Sequence, residues 1–393
     1  MPHTAITAAR LLLPNGALNQ PLLFVRDGVV ERISTRAEAE LPANTLDLGD
    51  ATLAPGFLDV HVHGAGGRDV MEGTQDAVET TACMLARFGT TSFLATTVTA
   101  PIDHTLSALE ALADSIESEP TAAGARPIGI HLEGPFISHA KRGVHPVANI
   151  LPPSIGLFDR FQQAARGHIR LMTIAPETEG ATELIAHAAA SGVRLSMGHS
   201  NATAAETRSG IATARRAAPT QAVSATHTFN AMRALDHREP GILGVTLDDA
   251  DLFAELICDG IHTTPEAVRL WFRSKGENRA ILVTDGMAAT GMPDGDYKLG
   301  ELDVTVRDGV CTSSGVLAGS VLTMQRAVAN LQAFTGASLA TAVRLATHNP
   351  AALLGLADEQ AGMVPGAEAS FTVFDKAGAF RGTVLRGEHL PFA

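Results

Sequence analysis

Residues 53–64 read LAPGFLDVHVHG, an apolar run that ends in two histidines separated by one residue. Such a run predicts a buried strand, and on a strand of period two the imidazoles of His61 and His63 project from the same face. Together they could bind one metal ion. The motif alone does not separate a metal site from two core histidines, since a chain of 393 residues with 15 His contains about 0.6 such pairs by chance.

Outward from this run, short apolar or β-branched segments alternate with helical patterns as far as Leu354. Eight strands are predicted, over residues 57–63, 90–97, 128–133, 169–175, 193–199, 223–228, 252–258 and 280–285. Helices are predicted between them, for example over residues 74–88, 102–117, 182–191 and 265–275. Eight β/α units predict an α/β fold, a (β/α)8 TIM barrel, whose active site must lie at the carboxyl ends of the strands.

Both ends of the chain differ from this alternation. Residues 1–53 contain short strand-like pieces separated by turns, and the tail has similar pieces at 370–374 and 382–385. Neither flank is long enough to bury a core alone. We therefore predict a small β-sandwich domain formed by residues 1–53 and 357–393, a barrel over 54–356, and a β-hairpin inserted near residues 296–313.

The composition limits the class of protein. Lys and Arg number 29 against 42 Asp and Glu, so the net charge of −13 argues against nucleic acid as a partner. Hydrophobic residues make up 45% of the chain, which argues against disorder. The separated cysteines Cys83, Cys258 and Cys311 indicate neither a disulfide framework nor a thiolate zinc cluster. Because no secretory signal or membrane span is evident, we predict a cytoplasmic protein without a membrane partner.

Four further residues of metal-ligand type come at the ends of predicted strands. They are Glu133 on the third strand, His199 on the fifth, His227 on the sixth and Asp285 on the eighth. Each has an ordinary alternative, as a hydrogen-bonded core histidine, a helix-capping acid or the first residue of a turn. All of them fall where the strands of a barrel converge, however, and histidines with carboxylates suit a divalent ion such as zinc. The sequence therefore predicts a metal centre at this end of the barrel.

The same residues carry a resemblance to a known family. The H-x-H pair with Glu133, His199, His227 and Asp285 is similar to the metal site of the amidohydrolase superfamily, which joins this barrel to a β-sandwich built from the chain ends. More narrowly, motifs in the family's order over essentially the whole chain resemble the N-acetylglucosamine-6-phosphate deacetylase family. These motifs are HLEGPF (131–136), KRGVH (141–145), HTFNAM (227–232), REPG (238–241) and LAGS (317–320).

The resemblance implies a hydrolase that converts N-acetylglucosamine 6-phosphate to glucosamine 6-phosphate and acetate, in amino-sugar catabolism and cell-wall recycling. It implies that Glu133, His199 and His227 hold a catalytic divalent metal, with zinc favoured over iron, manganese or cobalt. Some family members keep only one metal. Because His61 and His63 are both present here, the resemblance allows one or two ions per subunit, with Glu133 bridging and Asp285 near the second ion.

The resemblance and the chemistry of amide hydrolysis together imply the catalytic roles. A bound divalent ion lowers the pKa of water from about 15.7 to about 7 and polarises a carbonyl group. Asp285 would take the proton of the water and return it to the departing amine. His145 would polarise the acetyl oxygen, and its alternative is a solvent-exposed loop histidine beside Pro146.

An acidic protein that binds a phosphate needs a local cationic patch. The resemblance gives this role to Arg238 and His262. It also implies a homodimer or a dimer of dimers, in which Arg238 reaches into the site of the neighbouring subunit. The other residues matched to the sugar pocket are Val144, His145, Asn230, Ala231, Asp259, Leu317, Ala318 and Gly319.

Two other functions stay open on the sequence. Another metal amidohydrolase, dihydroorotase-like or an N-acyl-amino-acid deacylase, would share the metal ligands but would not use Arg238 and His262 for a phosphate. The second is a non-catalytic binding or scaffold protein on the same fold. It is disfavoured because every expected ligand and the strand-eight aspartate are present.

Overall fold

Strands and helices alternate along most of the chain, and short strands predominate at its two ends. The computed structural model describes residues 4–13, 16–119, 121, 123–356 and 364–392. The strands are β1 (Ala5–Thr7), β2 (Arg10–Leu13), β3 (Gly16–Asn19), β4 (Pro21–Arg26), β5 (Val29–Thr35), β6 (Thr45–Asp47), β7 (Thr52–Pro55), β8 (Phe57–Val62), β9 (Gly64–Ala65), β10 (Arg68–Asp69), β11 (Thr90–Thr97), β12 (Arg126–Glu133), β13 (Ile169–Ile174), β14 (Arg194–Met197), β15 (Val223–Ala225), β16 (Phe253–Ile257), β17 (Ala280–Val283), β18 (Gly295–Leu299), β19 (Leu302–Arg307), β20 (Val310–Ser313), β21 (Val316–Leu317), β22 (Phe371–Phe374), β23 (Phe380–Leu385) and β24 (Glu388–Pro391). The helices are α1 (Gln75–Arg87), α2 (Ile102–Glu117), α3 (Ile155–Ala164), α4 (Ala181–Ala190), α5 (Ala204–Ala217), α6 (Gly241–Asp248), α7 (Pro265–Arg279), α8 (Met324–Thr335), α9 (Leu339–Leu345) and α10 (His348–Leu354).

Eight of these strands form one parallel sheet, in the order β8-β11-β12-β13-β14-β15-β16-β17. The sheet closes on itself where the chain leaving β17 meets β8. There Val62 bridges to Gly286, and the backbone N–H of Asp285 donates to the carbonyl of His61 at 2.9 Å. The predicted (β/α)8 barrel is thereby confirmed.

Six of the barrel strands end earlier than predicted: β8, β13 and β16 by one residue, and β14, β15 and β17 by two or three. β14, β15 and β17 each stop before the ligand-type residue that the sequence places at their end. At His199, His227 and Asp285 the backbone φ is +46°, +27° and +50°, which lies outside the strand region. Left-handed backbone is costly for residues other than glycine and collects at functional sites. The chain therefore turns out of the sheet at these three residues.

Helices pack against the strands of the barrel. Their first and last residues agree with the periodicity and capping residues of the local sequence. α2 coincides with the predicted residues 102–117. α7 begins after the Thr264 cap with Pro265 in its first turn, as expected. It extends four residues beyond the prediction, to Arg279, across a break at Gly276 where φ is +61°. None of the described helices is long and apolar enough to cross a membrane.

Strands from both ends of the chain form two further sheets. Their orders are β5-β4-β1-β6 and β24-β23-β22-β7-β2-β3. Apolar side chains of both sheets share one buried core, which includes Ile6, Leu11, Leu23, Val30, Leu53, Phe371 and Val384. The predicted β-sandwich from the N- and C-terminal segments is confirmed. Its boundaries stay predictions, because β7 crosses the one at residues 53 and 54, and the other adjoins residues 357–363, which lie outside the described residues.

The hairpin predicted near residues 296–313 is part of a larger element. β18 to β21 form an antiparallel sheet in sequential order. Its apolar side chains, such as Val304 and Val306, pack against Met287 just beyond β17. The backbone N–H of Ser320 then donates to the carbonyl of Asp285 at 2.8 Å. This sheet therefore holds residues 317–319 beside the end of the eighth barrel strand.

Two of the three cysteines are buried, so the reactivity of their thiols tests the packing of the core. Burial raises the pKa of the Cys258 and Cys311 thiols to about 12. At pH 8 roughly one such thiol in ten thousand is ionised, and the thiolate is the reactive form. Cys83 is only partly buried. We expect iodoacetamide at pH 8 to label Cys83 alone in the native protein and all three cysteines after unfolding, as read by peptide mass spectrometry. Rapid native labelling of either buried cysteine would contradict this.

Candidate metal centre and active site

Glu133, the last residue of β12, lies at the centre of a cluster of histidines. Its Oε1 is 3.2 Å from Nε2 of His199, 3.2 Å from Nε2 of His227 and 3.4 Å from Nε2 of His61. Its Oε2 is 3.3 Å from Nε2 of His63. All five side chains are buried. The structure therefore brings together predicted ligands that lie on four different barrel strands or just beyond them.

Asp285 lies against the same cluster at the end of β17. Its Oδ1 is 3.1 Å from Nε2 of His63 and 3.5 Å from Nε2 of His61. The side chain is 13% exposed, more than any of the histidines it contacts. Asp285 therefore borders both the ligand cluster and the solvent at its mouth.

The opposite ring nitrogens of two histidines are held by backbone carbonyls. Nδ1 of His63 is 3.0 Å from the carbonyl oxygen of Thr96, and Nδ1 of His199 is 3.0 Å from that of Lys141. A carbonyl can only accept, so Nδ1 carries a proton in both rings. Nε2 is then the nitrogen left to act as a ligand. Metal-binding histidines in proteins are oriented by hydrogen bonds of this kind.

Several contacts in the cluster suit a cation at its centre. His61 Nε2 is buried and makes no hydrogen bond to any described residue. The Nε2 atoms of His199 and His227 lie only 3.0 Å apart. A divalent ion would give these nitrogens and the Glu133 carboxylate a common partner, and zinc accepts this donor set. Two groups have ligand atoms within 4.8 Å of one another, namely His61, His63 and Glu133, and Glu133, His145 and His199. The residues therefore fit one or two divalent ions.

The packed charges shift the pKa values of the cluster. Burial alone would raise the pKa of Glu133, but the imidazoles of His61, His199 and His227 hold it well below its usual range. Asp285 behaves alike: burial would raise its pKa, and His61 and His63 lower it. Burial would lower the pKa of His63, yet Asp285 and Glu133 raise it to about 9. Both carboxylates are thus ionised at neutral pH, and a bound metal would displace protons from the imidazoles.

His145 lies beside the cluster, in the loop after β12. Its Nδ1 accepts the backbone N–H of Thr99 at 3.4 Å and contacts the Thr99 hydroxyl at 2.7 Å. Nε2 therefore carries the ring proton, and it lies 3.7 Å from Oε2 of Glu133. Burial, aided by His199, lowers the pKa of His145 to about 3 and keeps the ring neutral. The alternative of an exposed loop histidine is wrong, because His145 is 3% exposed.

The placement of His145 also explains a glycine in the HLEGPF motif. Gly134 has a φ of +82°, and a Cβ there would overlap the hydroxyl of Thr99. The backbone conformation and the close approach both require glycine. A side chain at this position would displace the threonine that holds the imidazole.

Asp259 and His262, both predicted to contact substrate, form a pair in the loop after β16. Oδ2 of Asp259 is 2.7 Å from Nδ1 of His262. Oδ1 accepts the backbone N–H groups of Ile261 and His262, each at 2.8 Å. Burial would lower the pKa of His262, but Asp259 raises it. Both carboxylate oxygens of Asp259 are therefore engaged in orienting His262 and its loop.

The remaining predicted pocket residues are placed as follows. Val144 packs against the sheet that carries Leu317 and Ala318, and Gly319 follows directly. Asn230 and Ala231 lie in the turn after β15, where Nδ2 of Asn230 is 3.4 Å from the carbonyl oxygen of His227. Arg238 is exposed, and its guanidinium makes no hydrogen bond or ion pair with the part of the chain that the structure describes.

The sequence analysis did not identify the groups that contact the predicted ligands from behind. Glu255 in β16 is fully buried, and its Oε2 is 3.3 Å from Nδ1 of His61. A local signal existed, since Glu255 is the one charged residue in the apolar strand Phe253–Ile257. Thr99 and the carbonyls of Thr96 and Lys141 leave no such signal, because they meet the histidines only in the folded chain.

The closed barrel, with histidines and carboxylates gathered at the ends of its strands, defines a metal-dependent hydrolase. The match to a family model gives the class more narrowly. The chain belongs to the amidohydrolase family, whose model matches residues 52–389. It is therefore a hydrolase that acts on amide C–N bonds.

Individual relatives extend this comparison. The chain is 35% identical to the N-acetylglucosamine-6-phosphate deacetylase of Bacillus subtilis (strain 168), over 96% of this chain and 94% of that protein. It is 36% identical to the N-acetylgalactosamine-6-phosphate deacetylase of Escherichia coli O157:H7, over 94% of each. A mutant N-acetyl-D-glucosamine-6-phosphate deacetylase from Mycobacterium smegmatis, solved in complex with N-acetyl-D-glucosamine-6-phosphate, aligns with a TM-score of 0.90, 34% identity and 99% of both chains. The resemblance carried by the sequence motifs is confirmed.

Proposed function

We propose that this amidohydrolase removes the acetyl group of N-acetylglucosamine 6-phosphate, which yields glucosamine 6-phosphate and acetate. The observation that carries the proposal is the convergence of four histidine Nε2 atoms on Glu133, in a chain that matches deacetylases of this substrate over nearly its whole length. Asp285 and a neutral His145 stand beside that cluster. These are the groups that hydrolysis of an amide needs.

Two sets of residues are proposed to hold the metal. Glu133, His199 and His227 would bind one ion, and His61 and His63 would bind a second one, with Glu133 shared and Asp285 near it. Zinc suits imidazole and carboxylate ligands, and iron, manganese or cobalt would accept the same set. When bound, such an ion makes water nucleophilic at neutral pH and polarises the amide carbonyl.

The two catalytic side chains would divide the proton transfers. Asp285 is ionised and borders the mouth of the cluster, so its carboxylate would take the proton of the attacking water. The same carboxyl group would then give that proton to the nitrogen of the departing amine. His145 carries its ring proton on Nε2 and would donate it as a hydrogen bond to the acetyl oxygen, where negative charge develops.

The substrate is proposed to lie between the loops that surround the mouth. His262, oriented by Asp259, would contact the sugar phosphate, with Val144, Asn230, Ala231 and residues 317–319 lining the pocket. The exposed Arg238 guanidinium would reach the phosphate of a neighbouring subunit in a homodimer or a dimer of dimers. We propose a cytoplasmic setting, where phosphorylated sugars occur, with no nucleic acid or membrane as partner.

Acetate release tests the function directly. Protein whose metal content has been counted by elemental analysis is assayed with N-acetylglucosamine 6-phosphate and with unphosphorylated N-acetylglucosamine. We expect strong preference for the phosphorylated sugar, loss of activity with a chelator and recovery on adding metal. No activity on either sugar, with metal bound, would refute the substrate and leave the other amidohydrolase reactions to be tried.

The 4-epimer is a second candidate substrate. The relative from Escherichia coli O157:H7 is named for N-acetylgalactosamine 6-phosphate and is as similar to this chain as the N-acetylglucosamine-6-phosphate deacetylase of Bacillus subtilis. The two sugars differ only in the configuration of one hydroxyl group, away from the acetamide. Assaying both epimers side by side assigns the preference, since kcat/KM ratios measure discrimination between competing substrates.

Arg238→Ala tests how the phosphate is recognised. A charge-assisted hydrogen bond contributes about 1.5–3 kcal/mol, so KM for the phosphorylated sugar should rise about 10- to 100-fold with little change in kcat. The preference over the unphosphorylated sugar should fall by a similar factor. Arg208→Ala serves as the control. It removes a different exposed arginine, which lies on α5, and should leave both parameters unchanged. An unchanged KM in Arg238→Ala would favour an amidohydrolase that uses no phosphate.

A further inference from the structure

Glu255 is a buried carboxylate directly beneath the histidine cluster. It lies on β16, is 0% exposed, and its Oε2 is 3.3 Å from Nδ1 of His61. The same oxygen is 3.4 Å from the backbone N–H of His227. Oε1 lies 3.5 Å from the hydroxyl of Ser196. One carboxylate thus contacts two residues whose side chains reach Glu133 from different strands.

A carboxyl group buried in this position needs contacts that offset the free-energy cost of its burial. Burying an ionised group costs several kcal/mol unless it is paired and hydrogen-bonded. No described Lys or Arg side chain forms an ion pair with Glu255. Its partners are the imidazole of His61, one backbone N–H and one hydroxyl. His61 is therefore the one side chain in contact with Glu255 that can carry a compensating charge.

On the side of Oε1, Glu255 meets a network of hydroxyl groups that begins at Ser196. Ser196 Oγ lies 2.7 Å from Thr226 Oγ1, which lies 2.8 Å from Thr173 Oγ1. These hydroxyls connect across the inside of the barrel to His131, whose Nε2 is 2.8 Å from Thr173 Oγ1. Such a network can satisfy hydrogen bonds without any charge. At the end of this network the Glu255 carboxylate faces the imidazole of His61.

We propose that Glu255 is a positioning residue for the metal centre, which acts through His61. It accepts the Nδ1–H of His61, so that the ring presents its unprotonated Nε2 to the centre of the cluster, where that atom makes no hydrogen bond to a described residue. This is the role that carbonyl oxygens play for His63 and His199, filled here by a carboxyl side chain. The inference rests on the proposed metal site.

Metal affinity of Glu255→Gln tests the proposal without substrate. Glutamine keeps the size of the side chain but removes its charge and can turn an amide N–H toward Nδ1, which would leave the ring proton on Nε2. We expect a 10- to 100-fold weaker affinity for Zn²⁺ in a chelator competition. Ser224→Ala, a buried hydroxyl deletion on the adjacent strand β15, is the control and should bind Zn²⁺ like the wild type. Equal affinity in Glu255→Gln and wild type would overturn the proposal.

A double-mutant cycle separates positioning from general packing. If Glu255 acts through His61, adding Glu255→Gln to His61→Asn should not weaken Zn²⁺ binding further. An equal loss in both backgrounds would overturn the route through His61. Wild-type protein that holds no metal would instead refute the proposed function, so the two failures are distinguishable.

A measurement on the wild type covers the case in which the variant does not fold. ¹⁵N NMR of histidine-labelled protein, with the His61 signals assigned by their absence in His61→Asn, reports the protonation of each ring nitrogen. In the Zn²⁺-loaded protein we expect a protonated Nδ1 on His61. A protonated Nε2 would overturn the proposal.

Discussion

Glu133→Gln is expected to lose bound metal and to lower kcat/KM at least about 10³-fold, which corresponds to about 4 kcal/mol of transition-state stabilisation. The reason is geometric. The two oxygens of Glu133 lie within 3.4 Å of Nε2 atoms from four histidines, so this one side chain is common to both proposed ions. Glutamine removes the negative charge and replaces one acceptor oxygen by an N–H donor. The effect of the ion on water and on the carbonyl would go with it.

Metal content and acetate release, measured on the same preparation, check this prediction. The matched control is Asp249→Asn, which neutralises a carboxylate paired with Arg215 and located between α6 and β16, at the opposite end of the barrel. The control should keep its metal and its turnover. If Glu133→Gln retained both, the centre of the site would have to lie elsewhere.

That the proposed ligands lie together could be predicted from the sequence, because two simple rules place them. The period of two in a strand puts His61 and His63 on one face, and a parallel barrel brings the ends of its strands to one rim. Glu133, His199, His227 and Asp285 need only lie at the end of a strand or just beyond it to meet there. Neither rule requires knowledge of distant contacts, so a single sequence suffices.

The strand ends were predicted less well, for a physical reason. Periodicity describes the side chains and does not register where the backbone leaves the sheet. The predicted sixth strand runs to residue 228, whereas β15 ends at Ala225 and His227 has a φ of +27°. Left-handed backbone at a histidine costs energy that surrounding contacts must supply. Those contacts come from other strands, such as the hydrogen bond of the His227 N–H to Glu255.

The groups that orient the predicted ligands could not be predicted from sequence patterns. Thr99 and His145 are separated by 46 residues, and the carbonyl of Lys141 reaches a ring 58 residues away. Such contacts depend on how two loops pack over the barrel, which no local spacing encodes.

The prediction of a hairpin near residues 296–313 was incomplete for a related reason. β18 and β21 are short and partly exposed, so their edge pairings carry little hydrophobic signal.

Asp285→Asn is expected to lower kcat about 10²- to 10⁴-fold, the range that a general acid–base contributes, while the protein keeps its metal and KM changes little. Asparagine cannot accept the proton of the attacking water, yet it is nearly the same size and tolerates the left-handed backbone at this position. Single-turnover acetate release separates the chemical step from product release.

Asp308→Asn is the matched control for this prediction, because Asp308 has the same φ of +50° but lies in the turn between β19 and β20. The control should leave kcat unchanged.

The Asp285→Asn experiment must also exclude a role of Asp285 as a metal ligand, because its Oδ1 is 3.1 Å from Nε2 of His63. If Asp285→Asn loses metal in proportion to activity, then the carboxylate acts as a ligand and the base must be sought elsewhere. Normal turnover with metal bound would remove Asp285 from the chemistry altogether. A variant that is slow but fully metal-loaded is the one result that leaves Asp285 as the proton carrier, because only then are binding of the ion and transfer of the proton separated.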